Sequence, residues 1–140
     1  MINSKRKGAA GEREWAKFCR EQGYDVRRTQ QYCGGTEESA DCVGLPYIHQ
    51  EVKRVQTLNI DEALEQAWKD SLKQIGTDTK GFPKYINNTP IVAHRKNGKR
   101  WKVTMYADDW FKLYREWEAG QAINQTDNLE EMSEGFGRVS

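Results

Sequence analysis

The chain has no apolar run approaching the ~18 residues that a membrane span needs, and its mean hydropathy is −0.95. No apolar segment follows the basic start Met1-Ile2-Asn3-Ser4-Lys5-Arg6-Lys7. No secretory signal is therefore expected, and the expected compartment is the cytoplasm. Cysteine is scarce: Cys19, Cys33 and Cys42 are an odd number without a C-x-x-C pair, which argues against disulfide scaffolding. The spacings of Cys33, Cys42 and His49 match no structural zinc pattern. Internal repeats and low-complexity linkers are also missing, and 140 residues suit one compact domain. Neither sign of charge dominates, with 22 Lys and Arg against 21 Asp and Glu. That balance hides an acidic end, where Asp127, Glu130, Glu131 and Glu134 face Arg138 alone. Residues 120–140 hold few large apolar side chains and end in Gly135-Phe136-Gly137. They read as a flexible acidic tail behind a domain spanning 1–119.

Periodicity supplies the elements. Trp15, Ala16, Phe18 and Cys19 predict an amphipathic helix over Ala9–Gln22, stopped at Gly23. Short strands follow at Tyr24–Thr29 and Ala40–Val43, around a loop over Gln30–Glu38. Tyr47–Lys53 alternates, with Ile48, Gln50 and Val52 on one side and Tyr47, His49, Glu51 and Lys53 on the other. Asn59 and Glu62 suggest a helix start, and the apolar face of that second helix runs from Ile60 to Ile75. Gly76–Thr89 shows no period. Ile91–Arg95 and Trp101–Met105 read as a hairpin across Asn97-Gly98. Asp108 or Asp109 then caps a last helix carrying Trp110, Phe111, Leu113, Tyr114 and Trp117. The expected class is α/β, in the order α-β-β-β-α-β-β-α.

Chemistry concentrates in Ser39-Ala40-Asp41-Cys42-Val43 and Gln50-Glu51-Val52-Lys53. Carboxylates on neighbouring strands, Asp41 and Glu51, suit one hard cation, because Mg²⁺ takes one or two carboxylates and completes its shell with water and phosphate. Lys53 points to the side of Glu51, where an ammonium orients an attacking water and offsets charge building on a phosphate. The Val52 carbonyl is a further candidate ligand. Glu12 borders the buried stripe of the first helix, and Lys5-Arg6-Lys7-Gly8 offers three cations and a small residue one turn away, suited to a phosphate backbone.

Three stretches together resemble a known family: Arg6-Lys7-Gly8-Ala9-Ala10-Gly11-Glu12-Arg13-Glu14, Gly23-Tyr24-Asp25-Val26-Arg27-Arg28, and Asp41 with Glu51-Val52-Lys53. The family is the archaeal-type Holliday junction resolvases, within the PD-(D/E)xK, restriction-endonuclease-like nucleases. The resemblance implies a restriction-endonuclease-like core. It implies that Asp41 and Glu51 ligate Mg²⁺ or Mn²⁺, that Glu12 is a catalytic acid reaching the metal through water, and that Lys53 is the catalytic lysine. Arg28 stands where the family has a basic residue at the end of its first strand, implying a phosphate contact. Gln66 resembles the glutamine that several branches place beside the site. Two departures stand out: Ala40 replaces the proline of the nominal motif, and the loop before Asp41 is long and carries Glu37 and Glu38.

The activity so implied is hydrolysis of DNA phosphodiester bonds, foremost in four-way junctions, by a homodimer whose two sites match two symmetric cuts. A less structure-selective nuclease or nickase, a nuclease acting on RNA, and a non-catalytic DNA-binding module on the same fold are the alternatives. Lys53, Arg54, Lys73, Lys80 and Lys84 join the amino-terminal trio as candidate phosphate contacts. His94 reads as structural, and His49 as an edge-strand histidine without a partner. Trp15, Trp68, Trp110 and Trp117 read as packing or a dimer face. The short chain and acidic tail suit a recombination protein of a phage or mobile element.

Overall fold

The computed structural model describes residues 4–29 and 40–138, with side chains at 4–7, 73–76, 83–87 and 133–138 excepted. The expected loop at Gln30–Glu38, with Cys33, lies outside the described residues, as do the side chains of Lys5, Arg6, Lys7, Lys73 and Lys84. The elements are α1 (Ser4–Glu21), β1 (Arg27–Arg28), β2 (Cys42–Val43), β3 (Ile48–Arg54), α2 (Ile60–Ser71), β4 (Leu72–Thr77), β5 (Pro83–Asn87), β6 (Thr89–Arg95), β7 (Lys102–Thr104) and α3 (Ala107–Arg138). Among the described residues the protein is mixed α/β, with three helices, a five-stranded mixed sheet in the order β1-β2-β3-β6-β7 and a two-stranded sheet of β4 and β5.

β3 is the middle strand of that sheet. It pairs antiparallel with β2 and parallel with β6, in register from Ile48 opposite Thr89 to Arg54 opposite Arg95. Its alternation sorts side chains between two faces. Toward α1, Val52 packs with Trp15, Ala16, Cys19, Val26, Cys42 and Ala93. Gln50 is fully buried, and the indole Nε1–H of Trp15 donates to its Oε1 at 2.9 Å. On the other face, Ala63, Leu64 and Ala67 of α2 close over Val92 of β6. α2 starts as the sequence suggests: the Glu62 N–H donates to Asn59 Oδ1 at 3.1 Å.

The sequence expectation differs from the structure in three places. α2 stops at Ser71 and not Ile75, because Ser71 Oγ donates to the Trp68 carbonyl at 2.6 Å and Leu72 turns extended. The chain then forms the hairpin β4–β5, giving the order α-β-β-β-α-β-β-β-β-α. Its turn carries a signal that the aperiodic reading of 76–89 passed over: Asp78 Oδ1 accepts from the Lys80 and Phe82 N–H groups, both at 2.9 Å, and Gly81 takes φ +86°. Third, the last helix does not end before a flexible tail. α3 runs 32 residues without a proline, and its second half includes the helix formers Gln125, Leu129, Glu130, Glu131 and Met132. Residues from Tyr106 onward form a unit of their own, in which Trp110 stacks on Tyr114 at 5.3 Å and Tyr114 meets Trp117 at 5.6 Å. Of the tryptophans expected to pack, Trp15 is buried whereas Trp68 is half exposed.

Glycines let backbones meet at two points. Gly44, after β2, holds φ +119°, and a Cβ there would lie 2.3 Å from the Asp25 carbonyl oxygen. Gly11 faces β3 so closely that its Cβ would fall 2.6 Å from Arg54 Cβ, which sets α1, with Glu12 and Glu14, against the end of that strand. Gly44→Ala is expected to destabilise the fold by about 2 kcal/mol or more, since strain and a backbone clash coincide. Urea unfolding of the two proteins checks it.

Candidate active site

The end of β2 and the middle of β3 bring two carboxylates together. Asp41 is fixed on three sides: its N–H donates to the Gln50 carbonyl at 2.9 Å, its carbonyl accepts from Thr29 N–H at 3.1 Å, and its Oδ2 accepts from Val52 N–H at 2.8 Å. Its main chain and side chain therefore bracket Glu51. The Glu51 carboxylate acts on the Asp41 carboxyl, and Glu51 is only 7% exposed. Burial, then the Glu51 charge, pushes the Asp41 carboxyl up to about 7, against the opposing pull of the Val52 N–H. Two carboxylates held this close accept either a shared proton or a cation.

His49 is the residue that the sequence reading misplaced. β3 is central and not an edge, His49 is 2% exposed, and its Nε2 lies 2.9 Å from Glu51 Oε1. It holds the carboxylate from the side away from Lys53. The signal was its i, i+2 spacing from Glu51 on a strand, which places both side chains on one face.

Lys53 shares with Glu51 a cavity of about 360 Å³ beneath α2, lined also by Thr57, Leu58, Glu62 and Gln66. Three residues picked from the sequence thus meet at one opening: Glu51, Lys53 and Gln66. The amide of Gln66 donates to Asp70 Oδ1 at 3.0 Å. Val52 lies between Glu51 and Lys53 but sends its side chain into the core on the α1 face.

Other candidates are engaged elsewhere. Glu12 adds to the charge that Asp41 feels, but its Oε2 accepts from Arg28 Nε at 2.8 Å. This pair is mostly buried, so the Arg28 Nε–H is engaged by Glu12. Arg54 turns toward Glu14, at 3.3 Å, and toward Asn97. Lys80 sits exposed in the β4–β5 turn and does not line the cavity. Among the described residues no three His, Cys, Asp or Glu side chains form a ready metal cluster. His94 donates to or accepts from Thr104 Oγ1 at 2.8 Å, and burial followed by the Lys102 charge lowers its pKa. No helix among the described residues is long and apolar enough to cross a membrane.

Comparison with known proteins finds no matching family model, no matching curated protein and no matching solved structure.

The pair predicts a pH dependence of the metal-free protein. The Asp41 carboxyl titrates in the ordinary carboxylate range when unfolded and is pushed up to about 7 when folded, so the folded chain binds the extra proton between these values. Stability from this group is complete below the lower pKa and is lost as pH rises through the upper one. In EDTA, the melting temperature is expected to fall between pH 5 and pH 8, and Asp41→Asn to flatten that fall. A fall of equal size in both proteins would assign it to other groups.

Proposed function

We propose that the chain is a divalent-cation-dependent endonuclease with a restriction-endonuclease-like core, acting on DNA and most readily on branched DNA. The observation that carries this reading is buried Glu51, which shares a cavity with Lys53 while its charge helps raise the half-buried Asp41 carboxyl. A Mg²⁺ or Mn²⁺ ion fits there by charge, because it would replace repulsion between two desolvated carboxylates with attraction, using the ligand number that Mg²⁺ favours. The topology is compatible with the family core: α1, the antiparallel β1-β2-β3, the crossover through α2, then β6 parallel to β3. The preference for junctions and the homodimer rest on the resemblance of the segments around Glu12, Arg28 and Glu51 to the resolvases.

Bound at the pair, the cation would polarise a phosphoryl oxygen and acidify a water. The protein's own groups supply the rest. Asp41 is held by the Val52 N–H and Glu51 by His49, so both present fixed oxygens without rearrangement. Lys53, without an ion pair among the described residues, is available to place the attacking water and to offset the charge gathering as the new P–O bond forms and the bond to the leaving sugar oxygen breaks. Glu12, tied to Arg28, contributes negative potential next to Asp41 and not a direct ligand.

The test is cleavage of a labelled four-way junction beside matched linear duplex, single strand and an RNA duplex, with Mg²⁺, Mn²⁺ or EDTA. Wild type is expected to make paired symmetric nicks in the junction that vanish in EDTA. Glu51→Ala and Asp41→Ala should each lower the rate at least about 10³-fold while junction binding persists. Either variant cutting at the wild-type rate would refute the site. Equal cutting of every DNA would remove the junction preference, and binding without any cutting would favour the non-catalytic module.

A further inference from the structure

The β6–β7 hairpin carries the densest run of one charge on the described surface. His94-Arg95-Lys96-Asn97-Gly98-Lys99-Arg100-Trp101-Lys102 contains no carboxylate. Arg95 is paired with Glu14, but Lys96, Lys99, Arg100 and Lys102 are exposed and form no ion pair among the described residues. Burial, then the Lys102 charge, lowers the pKa of His94. Four unneutralised cations on one short hairpin create a positive local potential that attracts a polyanion.

Position relates this hairpin to the candidate site. Lys53 of β3 is the register partner of His94 in β6, and His94 is the register partner of Lys102 in β7. Partners opposite one another share a face, so one row crosses three strands from the active-site lysine to the hairpin. Beneath that row lies a second cavity of about 440 Å³, lined by His94, Lys96, Arg100 and Lys102. Thr57 and Leu58 line both this cavity and the one holding Glu51 and Lys53, so the two are neighbours across a single turn of chain. The hairpin is also fixed. Asn97 N–H donates to Gln56 Oε1, Asn97 Oδ1 accepts from Arg54, and Arg54 and Arg95 both hold Glu14. A tip tied at several points to the segment after β3 is a rigid platform.

The geometry points to the β6–β7 hairpin, through Lys96, Lys99, Arg100 and Lys102, as the surface that grips the DNA phosphate backbone next to the strand being cut. It rests on the nuclease reading, whose phosphodiester must lie at Glu51 and Lys53, and places the neighbouring phosphates along the row toward Lys102. The amino-terminal trio and Arg28 are not needed for it.

The test measures DNA affinity by fluorescence anisotropy, with a labelled duplex and a labelled junction in EDTA, from about 50 to 200 mM salt. A variant with Lys96→Gln, Lys99→Gln, Arg100→Gln and Lys102→Gln is compared with wild type and with the control Lys17→Gln, Arg115→Gln. Each lost phosphate contact flattens the slope of log affinity against log salt by about 0.9. The hairpin variant is expected to lose between about two and four such contacts and to bind at least tenfold more weakly in low salt, whereas the control stays near wild type. Matching thermal melts show that the exposed changes leave the fold intact, and Lys102→Gln alone should lower the slope by about one contact. An unchanged slope, an equal loss in the control, or absence of DNA binding by wild type would overturn the inference. The two readings fail separately. Metal-dependent cutting with an unchanged hairpin slope removes only the hairpin surface, while a hairpin-dependent slope in a protein that never cuts removes only the nuclease chemistry.

Discussion

Two carboxylates, Asp41 and Glu51, act on each other inside a partly dry site, and much of the surrounding structure holds them there. Left alone, such a pair would splay toward water or collapse onto a proton. Here the Val52 N–H and the Thr29 and Gln50 main-chain bonds clamp Asp41, and buried His49 clamps Glu51. Burial, then the Glu51 charge, raises the Asp41 carboxyl to about 7, and a cation bound there, as proposed, would relieve the repulsion. β3 tolerates this because its two faces are assigned different tasks: Gln50 and Val52 anchor the α1 core, while Glu51, held by His49, and Lys53 face the cavity beneath α2.

A second electrostatic arrangement joins this centre to the edge of the sheet. Close approach of α1 at Gly11 brings Glu14 against Arg54 and Arg95, and those arginines in turn steady the hairpin turn at Asn97. Negative charge is concentrated at Asp41 and Glu51, and positive charge is displayed on Lys96, Lys99, Arg100 and Lys102, where the proposed DNA phosphates would lie. Arg28 and Arg54, which the sequence offers as phosphate contacts, pair with Glu12 and Glu14.

The residues legible in the sequence were those governed by a simple period. Alternation put Glu51 and Lys53 on one face and Val52 on the other, and a helix spacing found Trp15, Ala16 and Cys19. The Asn97-Gly98 turn was equally plain, with Gly98 at φ +70°. What escaped depended on contacts remote in sequence or on competition between local preferences. No period tells whether Arg28 meets a carboxylate sixteen residues away or a ligand. His49 looked peripheral because the parallel partner β6, which makes β3 central, is forty residues downstream. The β4–β5 hairpin was hidden by an apolar series through Ile75 that continues the helix pattern past the point where Ser71 ends it. The helical end of α3 was masked by an acidic composition that suits a solvated helix as well as a flexible tail.

Direct measurement of cation binding tests the centre of this account. Free Mn²⁺ followed by electron paramagnetic resonance, titrated with the protein at pH 7.5, should report one site per chain in wild type and its loss in both Asp41→Asn and Glu51→Gln. The hairpin variant should retain it. Binding curves that coincide for wild type and the two carboxylate variants would contradict the claim that the Asp41–Glu51 pair is built to receive a divalent cation.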